Sequence, residues 1–191
     1  MLVVRGGVDA LLKDAGATAD AAYAEQTALE YDRKARMYGR VVNKHARWNL
    51  CFDEQGQEPD YETGKGRIVA YRDIPLTAHV RNALPAFLGA KAAALTGEGN
   101  LYYDVATTGI GFHGDAERRK VVAIRLGLSV PLHYQWFHQG APVGERVRLM
   151  LNHGDLYVMS DKATGYDWKK SRKVPTLRHA AGCAKFTTIK T

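Results

Sequence analysis

The chain has 191 residues, with 27 Lys and Arg against 20 Asp and Glu, for a formal net charge of +7 with histidine neutral. That length buries a core without metal or disulfide staples, and two cysteines far apart in sequence, Cys51 and Cys183, indicate neither a disulfide framework nor a Cys-ligated zinc knuckle. No apolar run approaches the ~20 residues of a membrane span and MLVVRGGVDALL is too broken for a secretory signal, so a soluble, intracellular monomer is expected, with an anionic partner favoured by the charge.

In chain order, VDALLKDAG and TADAAYAEQTALEYDRKA suit alanine-rich helices, the second capped by Thr18 or Asp20. The basic and aromatic segment RKARMYGRVVNKHARW follows. In it Arg33, Lys34, Arg36, Arg40, Lys44 and Arg47 interleave with Tyr38 and Trp48, a pattern that neutralises phosphates and offers rings for stacking on a base, although charge runs are also common as solvated faces. DEQGQEPDYETGKG reads as a long loop. Between Leu76 and Leu95 apolar residues fall near a helical stripe interrupted at Pro85, which predicts a kinked helix or two short ones packed on a sheet.

After Gly99 the texture changes to short runs rich in Val, Ile, Tyr and Thr between turn residues. NLYYDVA, VVAIRLGLSV, HYQWF, RVRLML, LYVMS, TLRHA and KFTTIK are the candidate strands. Helices first and strands later predict an α+β fold with a β core, a sandwich or jelly roll built of two packed sheets. A second basic cluster, Trp168, Lys169, Lys170, Arg172 and Lys173, precedes the strand TLRHA.

The stretch GIGFHGDAE places His113 and Asp115 two apart. In extended chain these project from one face, so both reach one small ion, and one more histidine from a distant strand completes two His and one carboxylate with the opposite octahedral face open. An H-x-D pair alone is equally the mark of a surface loop or a hydrogen-bonded pair.

NLYYDVATTGIGFHGD, HGDAERRKVVAIRLGLSV and RVRLMLNHGDLYVM resemble, in order and spacing, the core of the AlkB family of Fe(II)- and 2-oxoglutarate-dependent dioxygenases. That family shows an Asn-x-Tyr strand, an H-x-D-x-E turn, an apolar strand ending Leu-Gly, and an apolar strand turning through His-Gly-Asp or His-Gly-Ser. The clear resemblance covers residues 74–191, and DRKARMYG is similar to the family's substrate-lid segment. It implies a single domain over 1–191: a double-stranded β-helix, or jelly-roll, catalytic core over 74–191, preceded over 1–73 by N-terminal helices packed on one sheet and the lid segment.

Carried over residue by residue, the resemblance makes His113 and Asp115 iron ligands, gives Glu117 a supporting role behind them, and makes Asn100 and Tyr102 the pair that binds 2-oxoglutarate. The gap from Tyr102 to His113 is longer than in the family, so Tyr103 is an alternative to Tyr102. Of the remaining histidines, His45 and His79 precede the barrel, His133 and His138 flank the YQWF strand too early for the distal ligand, and His153 lies in the NHGD turn, where the family carries a non-ligating histidine. That leaves His179 as the third ligand.

A hairpin centred on Gly182 would set Lys185 opposite His179, as a cation for the far carboxylate of the keto acid, with Lys190 as the fallback. Two departures stand out: the distal histidine comes later than in the family, after DWKKSR, and lysine stands where the family has arginine, without its bidentate fork.

The resemblance implies an iron enzyme using 2-oxoglutarate and O2 to demethylate N-alkylated bases of DNA or RNA, as single strands or flipped bases, releasing succinate, CO2 and formaldehyde. Arg33, Arg36, Tyr38, Arg47, Trp48, Trp168, Lys169 and Lys170 are then the substrate-contacting candidates. The same iron site acting on a 5-methylpyrimidine, a protein or a small molecule is an alternative, and so is a non-enzymatic, basic nucleic-acid-binding β domain with structural histidines.

Overall fold

Runs of β-branched and aromatic residues broken by Gly, Asn and Asp give short strands, and the alanine-rich stretches give short helices. In the computed structural model, which describes residues 1–189, these are β1 (Leu2–Val4), α1 (Gly7–Leu12), α2 (Ala19–Thr27), β2 (Lys34–Met37), β3 (Arg40–Asn43), β4 (Trp48–Asp53), β5 (Ile68–Ala70), α3 (Pro75–Leu88), β6 (Gly97–Leu101), β7 (Gly109–His113), β8 (Val121–Ile124), β9 (Val130–His138), β10 (Ala141–Leu151), β11 (Leu156–Met159), α4 (Asp161–Thr164), β12 (Thr176–Gly182) and α5 (Ala184–Thr187). The fold is mixed α+β, mostly antiparallel strands, and divides into two compact units, Met1–Gly7 with Asp104–Thr191, and Val8–Tyr103. Among the described residues no helix is long and apolar enough to cross a membrane.

The first unit carries a four-stranded sheet in the order β10-β9-β12-β7 and a three-stranded sheet in the order β1-β11-β8, both antiparallel. Alternate side chains of β9 point to one face, so Leu132 and Tyr134 join Leu151, Met159 and Ala163 in one buried cluster, with Val3, Val121 and Tyr157 from the smaller sheet packed against it. Burying a side chain of this size stabilises by about 1.5–3 kcal/mol.

The turn NHGD, between β10 and β11, ties this unit together. The carboxylate of buried Asp155 accepts the Asn152 N–H at 2.7 Å and the Arg5 guanidinium just after β1. The Asp155 carbonyl takes the Arg125 N–H at 2.8 Å, and His153 Nδ1 accepts the Gly127 N–H at 2.9 Å.

The second unit packs α3 and the chain around Leu29 on a three-stranded sheet, β5-β4-β6, through Leu50, Phe52, Tyr71, Ile74 and Ala78. α2 belongs to this unit, as does α1 after Gly7. Its β2–β3 hairpin turns at Tyr38 and Gly39, with φ of 53° and 78°, the two left-handed positions that a type I′ turn requires.

Several expectations are corrected. The second helix stops at Thr27, and the basic segment of residues 33–48 contributes β2, β3 and the start of β4, because the Tyr38–Gly39 turn lets β-branched Val41 and Val42 pair back on Arg36 and Ala35. α3 runs through Pro85 to Leu88 and ends at Gly89, whose φ of 82° no helix continues. KFTTIK contributes a short helix, α5, in place of a strand, because β12 pairs with β7 as far as Gly182 and the chain then turns so that Phe186 packs on Gly109.

Replacing Asp155 by Ala removes two bonds to a buried carboxylate, and should lower stability by about 2–3 kcal/mol. Urea denaturation checks this, and a variant within error of the parent would contradict the role given to the turn.

Candidate metal centre

β7 and β12 pair with His113 opposite His179, so both imidazoles project from the same face of adjacent antiparallel strands. Their ring centroids are 4.3 Å apart at an angle of 55°. Asp115 follows β7, and its carboxylate lies between the two rings, with Oδ1 3.5 Å from His113 Nε2 and Oδ2 3.9 Å from His179 Nε2. One ligand atom from each of the three residues lies within 4.8 Å of the other two.

Protonation suits a metal. His113 Nδ1 lies 2.8 Å from the Gly111 carbonyl, which only accepts, so Nδ1 carries a proton and Nε2 is the nitrogen turned towards Asp115. His179 is buried. Its burial, and the charge of His113, push its imidazole down to about 4 against the pull of Asp115, so it is neutral at pH 7 with a lone pair to give. Burial works to raise the Asp115 carboxyl, but the hydrogen bond from His113 and the charges of His179, His113 and Arg118 outweigh it and hold the group below the usual carboxylate range. Two imidazoles and one carboxylate form a donor set for a divalent first-row ion, and the three residues present fit one.

The turn that carries Asp115 is braced by the chain between β11 and β12. The Asp115 N–H donates to the Thr164 carbonyl at 2.8 Å, and the hydroxyl of buried Thr164 donates to the Arg118 carbonyl at 2.9 Å. Gly114, between the two ligands, lies against Gly165 and Trp168, and a Cβ there would come within 2.6 Å of Trp168 Cβ and 2.7 Å of its Cδ1. Arg119 donates to the Tyr166 hydroxyl at 3.1 Å and stacks over its ring. Trp168, in the DWKKSR segment that delays the distal histidine, is therefore one of the groups that grip the ligand turn.

Of the residues expected from sequence, His113, Asp115 and His179 are brought together. The hairpin expected to set Lys185 opposite His179 does not form, and Lys185 is exposed on α5, because the strand opposite β12 is β7. Lys190 lies outside the described residues. Asn100 and Tyr102 are in the Val8–Tyr103 unit, where the Asn100 side-chain carbonyl accepts from Arg47 Nε at 2.5 Å. Glu117 is exposed beside Arg118 and makes no bond to a ligand residue among those described.

In the same unit as Asn100, Arg33 and Tyr103 both pack on the Trp48 ring, at 4.3 and 4.2 Å, so Trp48 is a core of side-chain stacking rather than an open platform. Arg36 donates to the Glu62 carbonyl, and Tyr38 stands fully out at the hairpin tip. Trp168 faces the ligand turn, while Lys169 and Lys170 are exposed beside it. Thr164 and Arg118 were missed. Their part rests on a backbone carbonyl and on proximity, neither of which leaves a mark in a residue pattern.

No family model matches the chain. It is 55% identical over 158 residues to an uncharacterized protein of Acanthamoeba polyphaga mimivirus, a match that covers 83% of this chain and 61% of that protein. The chain thus spans less than two thirds of the length of this relative.

Gly114→Ala drives a methyl group into Gly165 and Trp168, and is expected to weaken Co(II) binding, followed by visible absorption, at least about tenfold. Affinity equal to the parent's would contradict the bracing of the turn.

Proposed function

We propose that the protein is an Fe(II)- and 2-oxoglutarate-dependent dioxygenase with an AlkB-like jelly-roll core, acting by oxidative demethylation on N-alkylated nucleobases in DNA or RNA. The observation that carries the reading is the meeting of His113 Nε2, Asp115 and His179 Nε2 across β7 and β12. Three protein ligands from one side leave the other positions of an octahedral ion for cosubstrate and oxygen. Iron, when bound with 2-oxoglutarate and O2, supplies an oxidant able to convert an N-methyl group to a hemiaminal that loses formaldehyde.

The residues of this chain do the rest. His179 offers a neutral nitrogen lone pair, His113 turns its Nε2 towards the same carboxylate, and Asp115 offers a charge that stays in place at neutral pH. Thr164 and Trp168 keep Asp115 and His113 from swinging apart. Arg118 is the cation whose charge reaches both Asp115 and His179, and it becomes a candidate for holding a carboxylate of 2-oxoglutarate. The basic residues Arg33, Arg36, Arg47, Lys169 and Lys170 supply charge for a polyanionic strand.

The test is succinate release with Fe(II), O2 and 2-oxoglutarate over a panel of oligonucleotides carrying N-methylated bases or 5-methylpyrimidines. Turnover on N-methylated strands, lost to background in Asp115→Ala, is the expected result. Turnover on 5-methylpyrimidines alone would move the substrate, and no succinate with any of them, or an unchanged Asp115→Ala, would overturn the reading.

A further inference from the structure

The Val8–Tyr103 unit contains a cavity of about 370 Å³ between β2, β4 and the loop that leads into β5. Its size falls within the range of small-ligand sites, roughly 300–1,000 Å³, but its walls are unusual for one. Five cations line it, Lys34, Arg36, Lys44, Lys65 and Arg67, against one carboxylate, Asp32.

The two sides of that balance are not equally available. Asp32 is buried, and both its oxygens are engaged in the wall, Oδ1 by the Tyr61 hydroxyl at 2.7 Å and Oδ2 by the Arg67 N–H at 2.7 Å. The Arg67 guanidinium is committed to Glu30 and Glu58. The other four cations form no ion pair among the described residues: Arg36 donates to the Glu62 carbonyl, and Lys44 Nζ donates to Asn49 Oδ1 at 2.6 Å. Lys44 is partly buried, and its desolvation pushes its ammonium below the usual lysine range, a cost that an anion beside it would offset. Like charges gathered on a concave wall focus a positive field into it.

We infer that this cavity is a binding site for a phosphate group, gripped by Lys34, Arg36, Lys44 and Lys65. A phosphate suits it better than a carboxylate because its oxygens point in several directions at once, towards β2 on one side and the Lys65 loop on the other. The phosphate belongs either to the backbone of a nucleic acid strand or to a free phosphorylated molecule. The site lies wholly in the Val8–Tyr103 unit and stands whether or not the other unit holds iron.

The experiment is calorimetric titration of the full chain with inorganic phosphate, with a nucleoside monophosphate, and with a single-stranded oligodeoxythymidine of about ten nucleotides. Lys34→Gln combined with Lys65→Gln removes two exposed cations of the wall and should weaken phosphate binding about tenfold. Lys13→Gln combined with Arg72→Gln, which removes the same charge elsewhere, should leave it within about twofold. Lys44→Gln should also weaken binding, with a circular dichroism spectrum equal to the parent's showing that the chain is folded.

Displacement of the oligonucleotide by phosphate assigns the site to a strand, and phosphate binding without displacement assigns it to a free phosphorylated ligand. Absence of phosphate binding by the parent, or equal losses in the two double variants, would overturn the inference.

Discussion

The Asp115 carboxylate, held between two imidazoles on neighbouring antiparallel strands, is the constraint on which the first unit turns. His113 and His179 face each other because β7 and β12 are in that one register, and a slip of a single residue would send one ring to the opposite face. Asp115 lies just beyond the strand, where no ladder fixes it, and its position depends on the Thr164 carbonyl and on the absence of a side chain at position 114. A site of three ligands thus draws on two strands and on the segment that joins β11 to β12.

Its electrostatics follow. A buried neutral histidine and a half-buried carboxylate carry one negative charge between them, and a divalent ion among them leaves one net positive charge, which attracts an anionic cosubstrate. Away from this centre, clusters of positive charge lie on the β2–β3 hairpin, around the cavity of the second unit, and on the exposed turn at Lys169 and Lys170. The proposed anion site and the proposed metal centre thus lie in different units of one chain.

Much of the first unit was legible in the sequence. Short runs rich in β-branched and aromatic residues between turn residues marked β9, β10, β11 and β12 near their observed places, and H-x-D marked two of the three clustered groups. His179 was reached only by weighing the seven histidines against a family pattern, and strand pairing supplied what the sequence lacked, its register against His113. The second unit was read less well. Its strands are three to six residues long and rich in Arg, Lys and Asn, so no alternation stands out, and the turn at Tyr38 needed a left-handed non-glycine residue. The end of β12 was misread because Gly182 looks like the centre of a hairpin, whereas here it closes the pairing with β7 and opens a helix.

The central claim is that three side chains share one ferrous ion. A crystal of the full chain grown and soaked anaerobically with Fe(II), its anomalous signal recorded at the iron edge, tests it most directly. One peak bonded to His113 Nε2, the Asp115 carboxylate and His179 Nε2 is the predicted result. No peak at that position, or iron bound elsewhere with these groups turned apart, would contradict it.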